Sequence, residues 1–103
     1  MIRRLPVLLS EQAVADLEAI AGHILGASGS EKIASGFATR IRQRCKRIGD
    51  VPHGGRPRDD LSPGLRTVPF EHSAVIAYTV DGSAVRITNV FYGGRDFETL
   101  VRD

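Results

Sequence analysis

Four arginines stand where they could bind an acidic group. Arg56 and Arg58 flank Pro57 in a Gly- and Pro-rich stretch. Arg66 follows in a β-rich run, and Arg95 comes directly after a Gly-Gly pair. Pro57 fixes the backbone between the first two, so their guanidinium groups have little entropy left to lose on binding. A guanidinium group matches phosphate or carboxylate oxygens in paired hydrogen bonds. These four residues are our candidates for target binding.

Acid–base and metal chemistry have weaker support. Imidazole titrates near neutrality, which makes His23, His53 and His72 the first residues to consider as general bases. No second His, Cys or carboxylate stands at a metal-ligand spacing from any of them, so we expect structural histidines, no metal and no cofactor. Cys45 falls on an apolar helical stripe and is predicted to be a core residue.

The composition is that of a soluble globular protein. The chain has 103 residues, 42% hydrophobic and 25% charged, and we expect one domain over residues 1–103. The net charge is only +2, but residues 40–66 hold eight basic and three acidic side chains, a patch that suits nucleic acid or an acidic protein. The lone cysteine favours a cytoplasmic protein, and no apolar run approaches the ~20 residues of a membrane span.

The elements that must position these residues centre on a hairpin. Residues 75–80 and 84–91 are rich in Val, Ile, Thr, Tyr and Phe, which favour strands, and they flank Asp81-Gly82. That dipeptide predicts a type I′ turn, because both residues tolerate the positive φ that such a turn requires. We therefore place this hairpin at the centre of one small sheet.

Two helices precede the hairpin. The first is predicted to begin after Ser10 and to end at Gly26, and the second to begin after Ser30 and to end at Gly49. The apolar positions recur at helical spacing. On the first helix they are Val14, Leu17, Ile20, Ala21, Ile24 and Leu25, and on the second Ile33, Phe37, Ile41, Cys45 and Ile48.

The remaining segments complete an α+β pattern. Residues 1–9 are predicted to form a first strand, which Pro6 places at an edge or a bulge. Residues 50–63 have no periodicity and are predicted to be a loop, and residues 64–70 a strand. Phe97 and Leu100 are the apolar contacts of a possible helical turn near the C-terminus. The order of one strand, two helices and three strands predicts helices on one face of the sheet.

An ordered set of motifs resembles the RelE/ParE superfamily of bacterial toxin–antitoxin toxins. The motifs are Ala13-x-x-Asp16-Leu17-x-x-Ile20, Gly55-Arg56-Pro57-Arg58, Leu61-x-Pro63-Gly64-Leu65-Arg66, Ile76-Ala77-Tyr78-x-Val80 and Val90-x-x-Gly93-Gly94-Arg95-Asp96. Their order and spacing fit over essentially the whole chain. The resemblance implies a small antiparallel sheet that carries an α-helical hairpin.

Within that superfamily the chain is most similar to ParE-like members. The resemblance implies a toxin that binds DNA gyrase, traps its cleaved-DNA state and catalyses nothing itself. It also implies a ParD-like antitoxin of the ribbon-helix-helix type. The toxin would then contact operator DNA only indirectly, through this antitoxin. Our candidates for antitoxin binding are aromatic and aliphatic residues near the end of the chain: Phe91, Tyr92, Phe97 and Leu100.

Two alternatives remain open from the sequence. A RelE-like mRNA endonuclease would use Arg58, Arg66 and Arg95 to meet the charge on phosphate. Against it, such enzymes often carry an arginine where this chain has Val75, and residues 99–101 offer no Tyr or His as an acid. The second alternative is a member of the superfamily that binds its partner and poisons nothing.

Overall fold

The computed structural model describes residues 4–93 as seven helices and strands. In chain order they are β1 (Val7–Leu9), α1 (Glu11–Ser28), α2 (Glu31–Ile48), β2 (Arg56–Pro57), β3 (Arg66–Phe70), β4 (Ala74–Val80) and β5 (Val85–Tyr92). The predicted order of one strand, two helices and three strands is confirmed. The two-residue strand β2 is an addition, because it lies in the segment that was predicted to be a loop.

The sheet has the strand order β1-β5-β4-β3-β2. Strands β2 to β5 pair in antiparallel fashion with their neighbours, whereas β1 lies parallel to β5, with Val7 opposite Val85. The α+β prediction is therefore confirmed, and the sheet is mixed rather than wholly antiparallel. Strand β1 forms one edge, as Pro6 predicted.

Both helices begin at the predicted caps. The hydroxyl of Ser10 accepts a hydrogen bond from Ala13 N at the start of α1, and that of Ser30 accepts one from Ile33 N at the start of α2. The prediction that Gly26 ends α1 is wrong. The helix continues to Ser28 and ends at Gly29, whose φ of 69° and bond from its N–H to the Leu25 carbonyl close the last turn.

The helices pack on one face of the sheet through a narrower stripe than predicted. Val14, Leu25 and Ile33 are 37%, 39% and 56% exposed, so they lie on the outer side of the helical hairpin. Ala13 and Ala34 are buried in the interface instead. Small side chains let a helix approach a sheet closely, and the larger neighbours are then displaced toward solvent.

The main core lies between this stripe and the inner face of the sheet. Its fully buried members include Ile41, Ile76, Tyr78, Val85 and Ile87, and Cys45 is 1% exposed, as its place on the apolar stripe predicted. A smaller cluster of Leu61, Leu65 and Ala77 lies apart from the main core, with the half-buried Phe91 packed against it.

The type I′ prediction for Asp81-Gly82 is wrong. Neither residue has a positive φ, and four residues, 81–84, connect β4 to β5. The Asp81 carboxylate closes this connection by accepting hydrogen bonds from Ser83 N and Ala84 N, and it forms an ion pair with the guanidinium of Arg86. Such side-chain bonds replace the backbone geometry that a two-residue turn would need.

Positive φ occurs instead between β3 and β4. Glu71 and His72 have φ angles of 47° and 57°, and Ser73 N donates to the Phe70 carbonyl across the turn. Arg40 on α2 holds Glu71 by two hydrogen bonds of 2.8 and 3.0 Å to its carboxylate. A tertiary contact thus supports a backbone conformation that side-chain-bearing residues rarely adopt.

A β-bulge changes the periodicity of β5. Asn89 pairs with Ala77 and Ile87 with Tyr78, so Thr88 is the extra residue. The bulge lets both Ile87 and Val90 face the core although they are three positions apart.

No helix within residues 4–93 is long and apolar enough to span a membrane.

Candidate functional site

The site predicted from the arginines is built on the connection between α2 and β3. Residues 49–65 fold back on themselves rather than extending into solvent. Arg58 N donates to the Leu65 carbonyl at 2.7 Å, and Gly64 N donates to the Asp59 carboxylate at 2.9 Å. We call residues 50–65 the arginine loop, because it carries two of the four candidate arginines.

Tyr78 anchors the first half of the arginine loop from inside the protein. Its side chain is fully buried, and its hydroxyl donates to the Pro52 carbonyl at 2.9 Å and accepts from Gly55 N at 2.8 Å. Burial of the phenol raises the pKa of Tyr78, against the smaller opposing effects of the Gly55 hydrogen bond and of nearby arginines. Tyr78 therefore remains a neutral hydrogen-bonding group at physiological pH.

Arg66 holds the same segment from the other side. Its Nη1 donates to the carbonyl oxygens of His53 and Gly55, both at 2.9 Å. Five N–H donors in a planar fork suit a guanidinium group to bridging two backbone carbonyls. The sequence placed Arg66 among the candidates for target binding, whereas its contacts are those of a clamp on the loop.

Arg58 is also engaged within the loop. Its Nε and Nη2 each lie 3.0 Å from the carboxylate of Asp60, and its side chain is only 12% exposed. The adjoining Leu61 and Leu65 bury their side chains in the smaller apolar cluster. The second half of the arginine loop is thereby fixed to the sheet.

Arg56 differs from these two arginines. It lies on β2 opposite Thr67, is exposed, and forms no ion pair within residues 4–93. The loop around it is held by Tyr78, Arg66 and Arg58, so the guanidinium of Arg56 projects from a rigid support. Among the candidate arginines within residues 4–93, Arg56 is the one whose side chain is available to a partner.

The other predicted residues divide between described and undescribed parts of the chain. Arg95, Phe97 and Leu100 lie outside the described residues. Phe91 is half-buried against the smaller apolar cluster. Tyr92 is half-buried too, and its ring lies edge-on to the Phe37 ring at a centroid distance of 5.6 Å. It is the last residue of β5, whereas the predicted strand ended at residue 91.

The basic residues of α2 divide between its two sides. Arg42 and Lys46 line a groove of about 390 Å³ beside β1, whereas Arg44 and Arg47 line a pocket of about 370 Å³ beside the arginine loop. Arg40 pairs with Glu71. A rotation of 100° per residue explains this division, because residues two apart point away from each other.

The histidines are not brought together. His23 packs edge-on to Tyr92 at 5.7 Å, His53 contributes its carbonyl to the Arg66 clamp, and His72 lies in the turn after β3. Within residues 4–93 no group of three His, Cys, Asp or Glu side chains could hold a metal ion. Burial raises the pKa of the Cys45 thiol to about 11, so Cys45 is a poor nucleophile at neutral pH.

Comparison with known proteins decides the family. The family model described as the ParE toxin of the type II toxin–antitoxin system, parDE, matches residues 7–97. The chain belongs to the ParE toxin family. No curated protein matches the chain.

A solved structure supports the same fold for this ParE-family chain. It is titled a chromosomal ParDE TA system from P. aeruginosa, and its TM-score is 0.76 at 24% sequence identity. The alignment covers 87% of this chain and 97% of the solved chain. At that identity the likeness concerns the fold alone.

The sequence did not predict the part that Tyr78 plays in the ParE-family loop. The sequence placed Tyr78 only in a strand of the hairpin, but a buried tyrosine hydroxyl needs a hydrogen-bond partner. The signal was a lone aromatic residue in a strand of mostly aliphatic residues, together with Gly54-Gly55 in a loop. A Cβ built on Gly55 would lie 2.8 Å from the Cε1 atom of Tyr78, so only glycine fits there.

Proposed function

We propose that this ParE-family protein is a toxin that acts by binding DNA gyrase and stabilising its cleaved-DNA complex, without catalysing a reaction. The observation that supports the proposal is the exposed Arg56 on a rigid loop. A pre-organised cation loses little conformational entropy when it binds. The arrangement suits recognition of an acidic surface.

The endonuclease alternative is less well supported by the contacts. Two of the cations that it requires are already engaged, Arg66 with backbone carbonyls and Arg58 with Asp60. An enzyme that cleaves RNA needs cations directed at the developing phosphorane charge. Binding of gyrase through Arg56 does not require several cations to be directed at one phosphate.

We further propose that a ParD-like antitoxin neutralises the toxin. The structural neighbour comes from a ParDE system. In this protein Leu25 and Ile33 expose apolar side chains on the helical hairpin. Covering them would contribute to binding, at roughly 25 cal/mol for each Å² of apolar surface that is buried. The half-buried Phe91 and Tyr92, with Phe97 and Leu100, remain the other candidates for this interface.

The test is a cleavage assay with purified gyrase, supercoiled plasmid and ATP. We expect the wild-type protein to increase the amount of linear plasmid released on protein denaturation. Arg56→Glu should require at least about tenfold more protein for the same effect, the loss expected for one buried charge contact. Arg42→Glu is the matched control, since Arg42 is also exposed and unpaired within the described residues but lies on the far side of α2.

The alternatives give different results. Translation and mRNA integrity are followed in parallel in cells that carry an SOS-response reporter. Induction of the reporter before translation falls would support gyrase poisoning. Prompt mRNA cleavage with a silent reporter and no linear plasmid in vitro would overturn it in favour of the endonuclease. A chain that binds the antitoxin but does neither would be the inactive member.

A further inference from the structure

A basic pocket lies between the C-terminal half of α2 and the arginine loop. Arg44 and Arg47 line it on the helix side, and Gly54 and Gly55 line it on the loop side. The two arginines are three residues apart, so they lie on one side of the helix about 4.5 Å apart along its axis. A volume of about 370 Å³ leaves room for an anionic group between them.

The charge of this pocket is not compensated from within the described chain. Arg44 and Arg47 form no ion pair with any residue from 4 to 93. Asp50 is the acidic residue of the lining, and its carboxylate is already paired with Arg4 at 2.7 Å. The positive charges of Arg66 and Arg44 also act on the Tyr78 hydroxyl, where both oppose the rise in pKa. Several positive charges therefore act on one small volume.

We propose that this pocket binds a backbone phosphate of duplex DNA. Two guanidinium groups on one side of a helix match the tetrahedral oxygens of a phosphate better than a point charge does. The N–H groups of Gly54 and Gly55 in the opposite wall are already bonded to the Val51 carbonyl and the Tyr78 hydroxyl, so the two guanidinium groups are the donors for the phosphate. The pocket shares the arginine loop with Arg56, because Gly55 in its lining precedes Arg56, whereas the groove beside β1 lies on the other side of α2.

The lining favours phosphate over bases and over a protein. Its one aromatic residue, Tyr78, is fully buried, so no ring is exposed there for bases to stack on, as single-strand binding would require. Val51 is the one largely exposed apolar side chain of the lining, whereas a protein interface needs a cluster of buried aromatic or aliphatic anchors.

A simpler role for Arg47, which lies in the last turn of α2, is to stabilise the C-terminal end of the helix dipole. That role would be shared by Lys46, which lies in the same last turn on the other side. Two double variants therefore distinguish phosphate binding from stabilisation of the helix dipole. Arg44→Ala/Arg47→Ala changes the pocket, and Arg42→Ala/Lys46→Ala makes the same change in net charge on the groove beside β1.

The experiment measures fluorescence anisotropy of a labelled 20-bp duplex DNA of arbitrary sequence against salt concentration. We expect the wild-type protein to bind with an affinity that falls as salt rises. In Arg44→Ala/Arg47→Ala the slope of log K against log salt should shrink by about 0.9, the change for one lost phosphate contact. Arg42→Ala/Lys46→Ala should keep the wild-type slope. Arg44→Lys/Arg47→Lys keeps the two positive charges and should therefore keep most of the slope.

Several results would overturn the proposal. The first is that the wild-type protein does not bind DNA, and the second is that the two alanine variants lose the same amount of salt slope. The third is tighter binding to a duplex RNA of the same sequence. The fourth is displacement of the DNA by poly-glutamate at equal charge concentration. Urea unfolding of each variant shows whether it is folded. The assay contains no gyrase, so its outcome is independent of the proposed target.

Discussion

Gly55 donates its backbone N–H to the hydroxyl of Tyr78 at 2.8 Å, across 23 residues of sequence. The same hydroxyl donates to the Pro52 carbonyl, so one buried side-chain atom fixes two points of the arginine loop. The support for Arg56 therefore comes from the interior of the sheet. Loop conformation and sheet stability should accordingly change together.

Replacing the Tyr78 hydroxyl tests this coupling. Tyr78→Phe leaves the Gly55 N–H and the Pro52 carbonyl without that partner, and we expect the free energy of unfolding to fall by about 1–3 kcal/mol. Urea denaturation measures the change. Tyr92→Phe is the control, because the half-buried Tyr92 has no hydroxyl bond within residues 4–93, and its effect should stay within about 0.5 kcal/mol. Equal effects would contradict the anchoring role.

A methyl group at position 55 tests the close approach. We expect Gly55→Ala to destabilise the protein by about 1–3 kcal/mol, because the added Cβ would overlap the Tyr78 ring. Gly82→Ala serves as the control. A Cβ there meets nothing within 4 Å and the φ of Gly82 is not positive, so that variant should gain up to about 1 kcal/mol. Thermal unfolding of both proteins gives the comparison.

The carboxylate of Asp16 tests the connection between α1 and the bulged strand. It accepts a hydrogen bond from Val90 N at 2.9 Å, two residues beyond the bulge, and another from Gln12. Asp16→Ala should cost about 1–3 kcal/mol, since the Val90 N–H loses its partner. Asp16→Asn keeps an acceptor oxygen and should cost less. Glu18→Ala, at an exposed position on the same helix, should change stability by less than about 0.5 kcal/mol.

Asp81 should make stability depend on acid pH. The Arg86 guanidinium, and then the hydrogen bonds from Ser83 and Ala84, hold the pKa of the Asp81 carboxyl well below its usual value. A lowered folded pKa means that the stabilisation is fully present above the unfolded pKa of about 3.9 and is lost as pH falls toward the folded pKa. The stability difference between wild type and Asp81→Asn should therefore be constant above about pH 5 and shrink below pH 4. Growth of that difference on acidification would show the opposite linkage.

The turn after β3 offers a stabilising change. His72 has a φ of 57°, and a left-handed conformation costs a residue with a Cβ about 1–2 kcal/mol. His72→Gly should raise the free energy of unfolding by about 0.5–1 kcal/mol after the greater freedom of unfolded glycine is allowed for. His53→Gly, where φ is not positive, should lower it by a similar amount. A loss of stability in His72→Gly would mean that the His72 side chain contributes contacts of its own.

Local patterns predicted the helices and strands, whereas the hydrogen bonds of individual side chains decided the turns. Ser10 and Ser30 cap their helices as expected, because an N-cap depends on a few neighbouring residues. Asp81-Gly82 did not form a two-residue turn, because the Asp81 side chain made its own bonds to Ser83, Ala84 and Arg86.

The arginines show the same limit at the candidate site. Their positions indicated binding capacity, but the sequence could not show that Arg66 is engaged with His53 and Gly55, or Arg58 with Asp60. Arg56 is distinguished only by what surrounds it in space. The division of the α2 cations between two pockets followed from helical periodicity.

The place of β1 beside β5 has a consequence for how the protein is made. Val7 and Val85 are paired neighbours, yet they lie 78 positions apart along the chain. A nascent chain emerges from the ribosome at about 5–20 residues per second, so β1 is exposed for several seconds before β5 exists. Contacts between such distant segments also form slowly, because a long loop must close first. Closure of the sheet at β1 is thus a late event in synthesis, and a truncated chain that lacks β5 would have no strand for β1 to join.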